Sequence, residues 1–136
     1  MTPEEQANLE VARRYEHLYN TDIERFVREC YTPDCEINGG DVRGHAGLLE
    51  TERRVFAAAP RRRMRVERIH AVGSVVVVEA VLLDPDQGPG WKLPLCAVLT
   101  CRDGRIASDW TYAEFRKWPG LRPNPPTEGR TAPRAV

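Results

Sequence analysis

The sequence has no net charge and no long apolar run. Its 20 basic and 20 acidic residues cancel, so composition gives no electrostatic reason to expect nucleic acid or an anionic membrane as a partner. No apolar stretch approaches the roughly 20 residues that a membrane-spanning helix needs. The first residues also lack the basic-then-apolar order of a signal peptide. We therefore expect a cytoplasmic protein.

Cysteine is scarce and shows no metal-binding pattern. The four cysteines are Cys30, Cys35, Cys96 and Cys101, without a C-x-x-C pair and without a histidine at ligand spacing. We expect four reduced, partly buried thiols and no metal site. The sequence also lacks a Ser-His-Asp order, a phosphate-binding glycine loop and a nucleotide fingerprint. No cofactor is therefore expected.

The length and the proline distribution predict one domain followed by a tail. A chain of 136 residues can form a single hydrophobic core. Residues 119–136 hold five of the eleven prolines and almost nothing apolar. We predict a folded domain over residues 1–118 and an irregular, proline-rich tail over residues 119–136.

Periodicity predicts three helices and a sheet. The first helix has Thr2 as its cap and Pro3 at its first position, Asp22 caps the second, and the third covers about residues 46–58. A short strand at 35–38 precedes the third helix, and strands over 61–72 and 75–84 follow it. The second of these, VVVVEAVLLD, predicts a central strand covered on both faces. The element order predicts an α+β domain with a curved sheet and helices on one side.

The stretch from 91 to 115 predicts a long β-hairpin about the two-residue turn Asp103-Gly104. In its second strand one face carries Ile106, Ser108, Trp110 and Tyr112, and the other carries Ala107, Asp109, Thr111 and Ala113. Asp109 is thus either a solvated edge charge or a lone acid in a hollow. In a hollow, desolvation would raise its pKa toward the range of acid-base catalysis.

Six features occur in a fixed order between residues 9 and 118. They are Tyr15 in the first helix, Asn20 with Asp22 at its end, the phrase Tyr31-Thr-Pro-Asp-Cys-Glu-Ile, Gly44 before the third helix, Asp103-Gly-Arg-Ile, and then Trp110 with Tyr112. This order resembles the nuclear transport factor two-like superfamily, and more narrowly its SnoaL-like branch of polyketide cyclases, ketosteroid isomerases and limonene epoxide hydrolases. The resemblance implies a cone-shaped half-barrel, in which a curved, mixed, mainly antiparallel sheet wraps around helices and encloses a deep apolar pocket. It also implies a homodimer through the sheet.

The known catalytic sets of this superfamily carry over only in part. Tyr15 matches the oxyanion-hole tyrosine of ketosteroid isomerases, but their two aspartates correspond to Gly39 and Ala97. The Asp-Arg-Asp set of limonene epoxide hydrolases corresponds to Val81, Glu79 and Thr111. The resemblance places Asp109 and Thr111 toward the pocket, in agreement with the alternation, but it does not settle the reaction.

We expect a cofactor-free acid-base enzyme that cyclises, isomerises or dehydrates a small apolar, polyketide- or terpenoid-like molecule. Asp109 is expected to move the proton and Tyr15 to polarise a substrate oxygen. Glu79 is either a second pocket carboxylate or a charge on the convex face or at a dimer seam. The expected substrate-binding residues are Thr111, Tyr19, Trp91, Ala97 and Asn38. The alternative is a non-catalytic ligand-binding or dimeric interaction module of the same fold.

Overall fold

The computed structural model describes residues 1–121, so most of the predicted tail, residues 122–136, lies outside the described part of the chain. The described helices are α1 (Pro3–Thr21), α2 (Ile23–Cys30) and α3 (Gly44–Ala58). The strands are β1 (Tyr31–Ile37), β2 (Val42–Arg43), β3 (Arg63–Val72), β4 (Val75–Leu83), β5 (Lys92–Arg102) and β6 (Arg105–Ala113). Single 3-10 turns occur at Pro85–Gln87 and Phe115–Lys117.

One six-stranded sheet contains all of these strands, in the order β2-β1-β6-β5-β4-β3. The pairs among β3, β4, β5 and β6 are antiparallel, as predicted, whereas β1 pairs with β6 in parallel. The predicted α+β class, with a curved, mixed and mainly antiparallel sheet, is confirmed. The parallel pair matters most for the site, because it places Ile37 opposite Asp109.

The two first helices begin where the capping signals predict. Thr2 and Glu5 form a reciprocal capping box at the start of α1, with Pro3 in its first turn. The Asp22 carboxylate accepts a hydrogen bond from the Arg25 N–H at the start of α2. These caps fix where α1 ends and α2 begins, and hence how the buried faces of both helices meet the sheet.

Strand β4 is covered on one face only within this chain. Its residues alternate strictly between buried and half-buried. Val76 and Val78 are completely buried, and Val75 and Val77 are half-buried. The prediction of a strand covered on both faces is therefore wrong for the single chain. The helices pack on the inner face, and the outer face of the sheet remains partly open.

A β-bulge interrupts the alternation in β6. Thr100 pairs with Ser108 and Cys101 pairs with Ile106, so Ala107 is an extra residue on β6. The bulge turns Ile106 inward, where it is completely buried. The prediction that Ile106 shares a face with Trp110 is therefore wrong.

The turn of the β5-β6 hairpin has the predicted geometry. Asp103 and Gly104 adopt φ values of 53° and 78°, which is the pair of positive values that a type I′ turn requires. This turn sets the register that pairs Asp109 with Leu99 once the bulge is included.

We expect Gly104→Ala to lower the free energy of unfolding by about 1–2 kcal/mol, because a Cβ disfavours left-handed backbone. An added Cβ would meet no atom within 4 Å, so the cost is conformational and not steric. Urea unfolding would measure the loss. Asp103→Asn is the matched control, since asparagine adopts positive φ readily, and an equal loss in that variant would contradict this account of the turn.

Candidate functional site

A cavity of about 400 Å³ lies between the helices and the inner face of the sheet. Its volume falls in the range that holds small-molecule ligands. Among the described residues, its wall combines apolar and aromatic side chains with nine polar or charged ones. The side chains that matter for the chemistry below are Tyr15, Tyr19, Phe26, Tyr31, Asn38, Leu48, Glu52, Met64, Asp109 and Thr111.

The carboxyl group of Asp109 is buried in this cavity, with 4% of the residue exposed. The Tyr31 hydroxyl donates to Oδ2 at 2.6 Å, and the Thr111 hydroxyl donates to Oδ1 at 2.6 Å. Desolvation raises the pKa of Asp109 above its ordinary value, while the two hydroxyl donors act in the opposite direction. The result is a carboxyl whose two oxygens are fixed in place and whose proton affinity is increased.

The end of β1 fixes the backbone on both sides of Asp109. The Asn38 N–H donates to the Asp109 carbonyl oxygen at 2.8 Å, and the Asn38 Oδ1 accepts from the Thr111 N–H at 2.8 Å. Asn38 has a φ of 50°, a conformation that asparagine tolerates better than most residues. Asn38 therefore ends β1 and holds the stretch of β6 that carries the acid.

Three tyrosine rings pack around Phe26. The ring centroids of Tyr15, Tyr19 and Tyr31 lie 5.2, 5.4 and 5.4 Å from that of Phe26. Burial and then the charge of Asp109 raise the pKa of Tyr15 and Tyr31 well above the ordinary value. Both hydroxyls therefore stay protonated and can act only as neutral donors or acceptors near neutral pH.

The Tyr15 hydroxyl differs from that of Tyr31. The Asp109 carboxyl accepts hydrogen bonds from the Tyr31 and Thr111 hydroxyls, so the Tyr15 hydroxyl is not one of its donors. His45 further fixes Tyr31, because its Nε2 lies 2.8 Å from the Tyr31 carbonyl oxygen and must donate to it. Tyr15 thus lines the cavity with a hydroxyl that Asp109 does not engage.

Five of the predicted site residues line the cavity together, namely Asp109, Tyr15, Thr111, Tyr19 and Asn38. The predicted Trp91 and Ala97 do not. Ala97 is completely buried in the core, and Trp91 precedes β5 and packs against the edge of the core. Neither side chain borders the space available to a ligand.

Glu79 does not line the cavity, so its placement as a second pocket carboxylate is wrong. It lies between the buried Val78 and Ala80, and the pleat therefore directs it to the outer face. There its Oε1 accepts from Arg68 at 2.7 Å and its Oε2 lies 2.7 Å from His70 Nε2. These two partners lower the pKa of Glu79.

Tyr31 and Glu52 are two of the cavity residues that sequence reasoning did not assign to the site. Tyr31 meets an acid 78 positions away through the parallel pairing of β1 with β6, and periodicity carries no signal for that pairing. Glu52 had a signal, because it lies four residues after Leu48 and three before Val55, both buried. An acid within the apolar stripe of a helix indicates a polar group directed into the interior.

Other features bear on the class of site. Within residues 1–121, no three His, Cys, Asp or Glu side chains lie close enough to hold a metal ion, and none of α1 to α3 has the length and apolarity to cross a membrane. All four cysteines are free thiols. Burial raises the pKa of Cys30 to about 12 and that of Cys35 to about 11, so neither is a reactive thiolate.

Several solved structures have a similar fold. A candidate SnoaL-like polyketide cyclase from Jannaschia sp. CCS1 is 20% identical with a TM-score of 0.74, over 90% of this chain and 98% of that one. IdmH, a candidate polyketide cyclase from Streptomyces antibioticus, is 20% identical with a TM-score of 0.68, over 80% and 93% of the two chains. A nuclear transport factor two-like protein of unknown function from Mesorhizobium loti is 16% identical with a TM-score of 0.69, over 84% and 96%. At these identities the likeness establishes the fold alone.

The sequence itself carries the family assignment. No curated protein matches the chain at a significant level. The SnoaL-like domain family matches residues 11–109, which extend from the first buried apolar residue of α1 to the buried acid of β6. The chain therefore belongs to the SnoaL-like domain family.

Proposed function

We propose that this protein is a cofactor-free enzyme that moves a proton on a small, apolar, oxygen-bearing molecule, in a cyclisation, isomerisation or dehydration. The observation that carries the proposal is the buried carboxyl of Asp109, held by two hydroxyl donors inside a ligand-sized cavity. Buried carboxyls with increased proton affinity are typical of acid-base sites. The likeness to candidate polyketide cyclases supports the same class of reaction.

Asp109 would act as the base. As a carboxylate, it would remove a proton from a carbon next to a substrate carbonyl, and negative charge would develop on the carbonyl oxygen. The Tyr15 hydroxyl, which does not donate to Asp109, would donate to that oxygen and stabilise the enolate. Tyr31 and Thr111 would keep the carboxylate oriented toward the carbon.

The lining of the cavity suits a substrate that combines an apolar skeleton with oxygen groups. Phe26, Leu48 and Met64 contribute apolar surface, and they are 2%, 3% and 1% exposed. Polar and charged side chains, Asp109 and Glu52 among them, form the rest of the lining. A polyketide- or terpenoid-like molecule, with a carbon skeleton and one or two carbonyl or hydroxyl groups, has this distribution of polarity.

We expect Asp109→Asn to reduce proton exchange at the α-carbons of the probe ketone 2-tetralone by roughly 100-fold or more, because the amide cannot act as a base. Proton NMR of 2-tetralone in deuterated buffer measures the exchange. In the wild-type protein the rate should rise with pH through the raised pKa of Asp109, since only the ionised form removes a proton.

Asp103→Asn is the matched control for this experiment. It makes the same substitution in the same hairpin, at an exposed position outside the cavity, and it should exchange the probe at the wild-type rate. If Asp109→Asn exchanged the probe as fast as the wild type, the proposed base would be eliminated. A non-catalytic binding module would then be the better account of the cavity.

Two tyrosine variants should separate positioning from polarisation. Tyr31→Phe removes a donor that lowers the pKa of Asp109, so a carboxyl-carbon NMR titration should show a higher pKa for Asp109 in this variant. Tyr15→Phe removes no hydrogen bond to Asp109 and should slow exchange of the probe by roughly 10-fold or more. Equal shifts of the Asp109 pKa in both variants would contradict these separate roles.

We also propose that the chain forms a homodimer through the outer face of its sheet. This face carries apolar side chains that the single chain leaves half-exposed or exposed, namely Val75, Val77, Val81, Pro94, Cys96, Val98, Trp110 and Tyr112. Continuous apolar surface of this kind marks interaction sites. Arg68 and Glu79 form an ion pair on the same face, and a two-fold axis would place this pair beside its copy in a self-complementary interface.

We expect Tyr112→Glu to convert the dimer to a monomer in sedimentation velocity, because it places a charge on this face. Tyr112 is 49% exposed, so the fold should tolerate the change. Phe56→Glu is the matched control, because Phe56 is 47% exposed on α3, away from the sheet. A wild-type monomer, or an equal effect of both variants, would refute the proposed interface.

A further inference from the structure

Glu52 is a second carboxyl in the cavity, and it comes from the opposite wall. It lies on α3 in the stripe formed by Leu48 and Val55, which are 3% and 1% exposed, and it lines the same cavity as Asp109. Placing a carboxyl in such a stripe costs free energy unless the group is paired, neutral or used. Its position therefore requires an explanation beyond packing.

The carboxyl oxygens of Glu52 are not all hydrogen-bonded, whereas both carboxyl oxygens of Asp109 are. The residue as a whole is half-buried, but its Oε2 is inaccessible to solvent and has no hydrogen-bond partner among residues 1–121. Each oxygen of Asp109, by contrast, accepts a hydroxyl hydrogen bond. Hydroxyl donors stabilise a carboxylate, so Asp109 is the easier of the two groups to ionise and Glu52 is the one that keeps its proton.

One buried cation faces Glu52. Arg62 is 7% exposed, its Nε donates to the Tyr19 hydroxyl at 3.2 Å, and its guanidinium lies 4.5 Å from the centre of the Tyr19 ring. These contacts hold it in place outside the cavity lining. Its charge favours ionisation of Glu52, while burial and the charge of Asp109 oppose it. The balance raises the pKa of Glu52 to about 7.

The charged side chains of Asp41, Arg43, Glu50 and Arg54 also line the cavity. The other titratable groups that interact electrostatically with Glu52 are tyrosines. Tyr15 and Tyr19 come from α1 and Tyr31 from β1, and all three interact electrostatically with Glu52. Burial raises the pKa of each well above its ordinary range, so they stay neutral. The protonation of Glu52 therefore depends on Arg62 and Asp109 alone among the charged groups that act on it.

We propose that Glu52 is the proton donor of the cavity, which gives its proton to the substrate oxygen while Asp109 removes one from the adjacent carbon. This inference rests on the proposed function and specifies its substrate as an enolisable carbonyl compound. Two carboxyls whose environments separate their proton affinities are what paired acid and base chemistry requires.

The proton transfers balance without any further reactant. The C–H bond breaks toward Asp109, its electron pair forms the C=C bond, and the carbonyl π electrons form the new O–H bond with the proton of Glu52. The product is a neutral enol, with Asp109 protonated and Glu52 ionised. Return of the proton from Asp109 to a carbon of the enol, with loss of the O–H proton to Glu52, restores both groups.

The test is the pH profile of 2-tetralone exchange in the wild type and in Glu52→Gln. With increasing pH, the wild-type exchange rate should first rise as Asp109 ionises. It should then fall near pH 7, as Glu52 loses its proton. Glu52→Gln should be roughly 10-fold slower or more below pH 7 and should lack the fall at higher pH. Glu52→Asp, which retains a carboxyl, should retain a fall, and Glu24→Gln, on the exposed surface of α2, should match the wild type.

Thermal unfolding across pH is the second readout, and it shows whether Glu52→Gln folds. A raised pKa in the folded protein means that wild-type stability is lost as pH rises from the unfolded value of 4.5 to about 7. The difference in unfolding temperature between Glu52→Gln and the wild type should therefore grow in favour of the variant over this pH range. Above this range the difference should stay constant.

The outcomes separate the two proposals. If the exchange rate of Glu52→Gln still falls near pH 7, the proposed role of Glu52 is overturned. If Asp109→Asn is inactive in the same experiment, the proposed function stands. A wild-type rate no faster than that of Asp109→Asn overturns both proposals. A slower Glu52→Gln variant with an unchanged profile would show that Glu52 only supports the shape of the cavity.

Discussion

The burial of the Asp109 carboxyl is the constraint on which the site depends. Desolvation penalises its ionised form, and two hydroxyl donors at 2.6 Å offset part of that cost. Those donors come from different strands, Tyr31 from β1 and Thr111 from β6, so the site exists only when the two strands are paired in register. The short parallel contact between β1 and β6, closed by Asn38, thus determines the chemistry of the cavity.

The faces of the sheet divide the acids into two kinds. On the inner face, Asp109 has increased proton affinity because it is desolvated, and Glu52 approaches from α3 under the same condition. On the outer face, Glu79 pairs with Arg68 and His70 and remains an ordinary carboxylate of lowered pKa. Side-chain type alone does not distinguish these roles, since each acid takes its properties from the dielectric and the partners around it.

Much of the fold could be predicted because its signals are local. Thr2 and Asp22 mark the helix starts, and Asp103 with Gly104 marks the hairpin turn. Alternation placed Asp109 and Thr111 on one face, and the cavity confirms that they share it. The same rule failed at Ile106, because the bulge at Ala107 adds a residue that simple periodicity cannot count. It also failed to exclude Ala97, which faces inward but is sealed beneath other core side chains.

The sequence by itself determined the order of the three helices and of five of the six described strands, β2 having been predicted as a loop. It also determined the turn that joins β5 to β6, the family, and the presence of an acid on the small-residue face of β6. Only the tertiary structure decided that Tyr31 holds that acid, that Glu52 shares its cavity and that Glu79 does not. The physical reason is the separation along the chain of the groups that interact. Capping, turn and pleat geometry act over a few residues, whereas desolvation and charge depend on groups as far as 78 positions apart, which only the packed sheet and helices bring together.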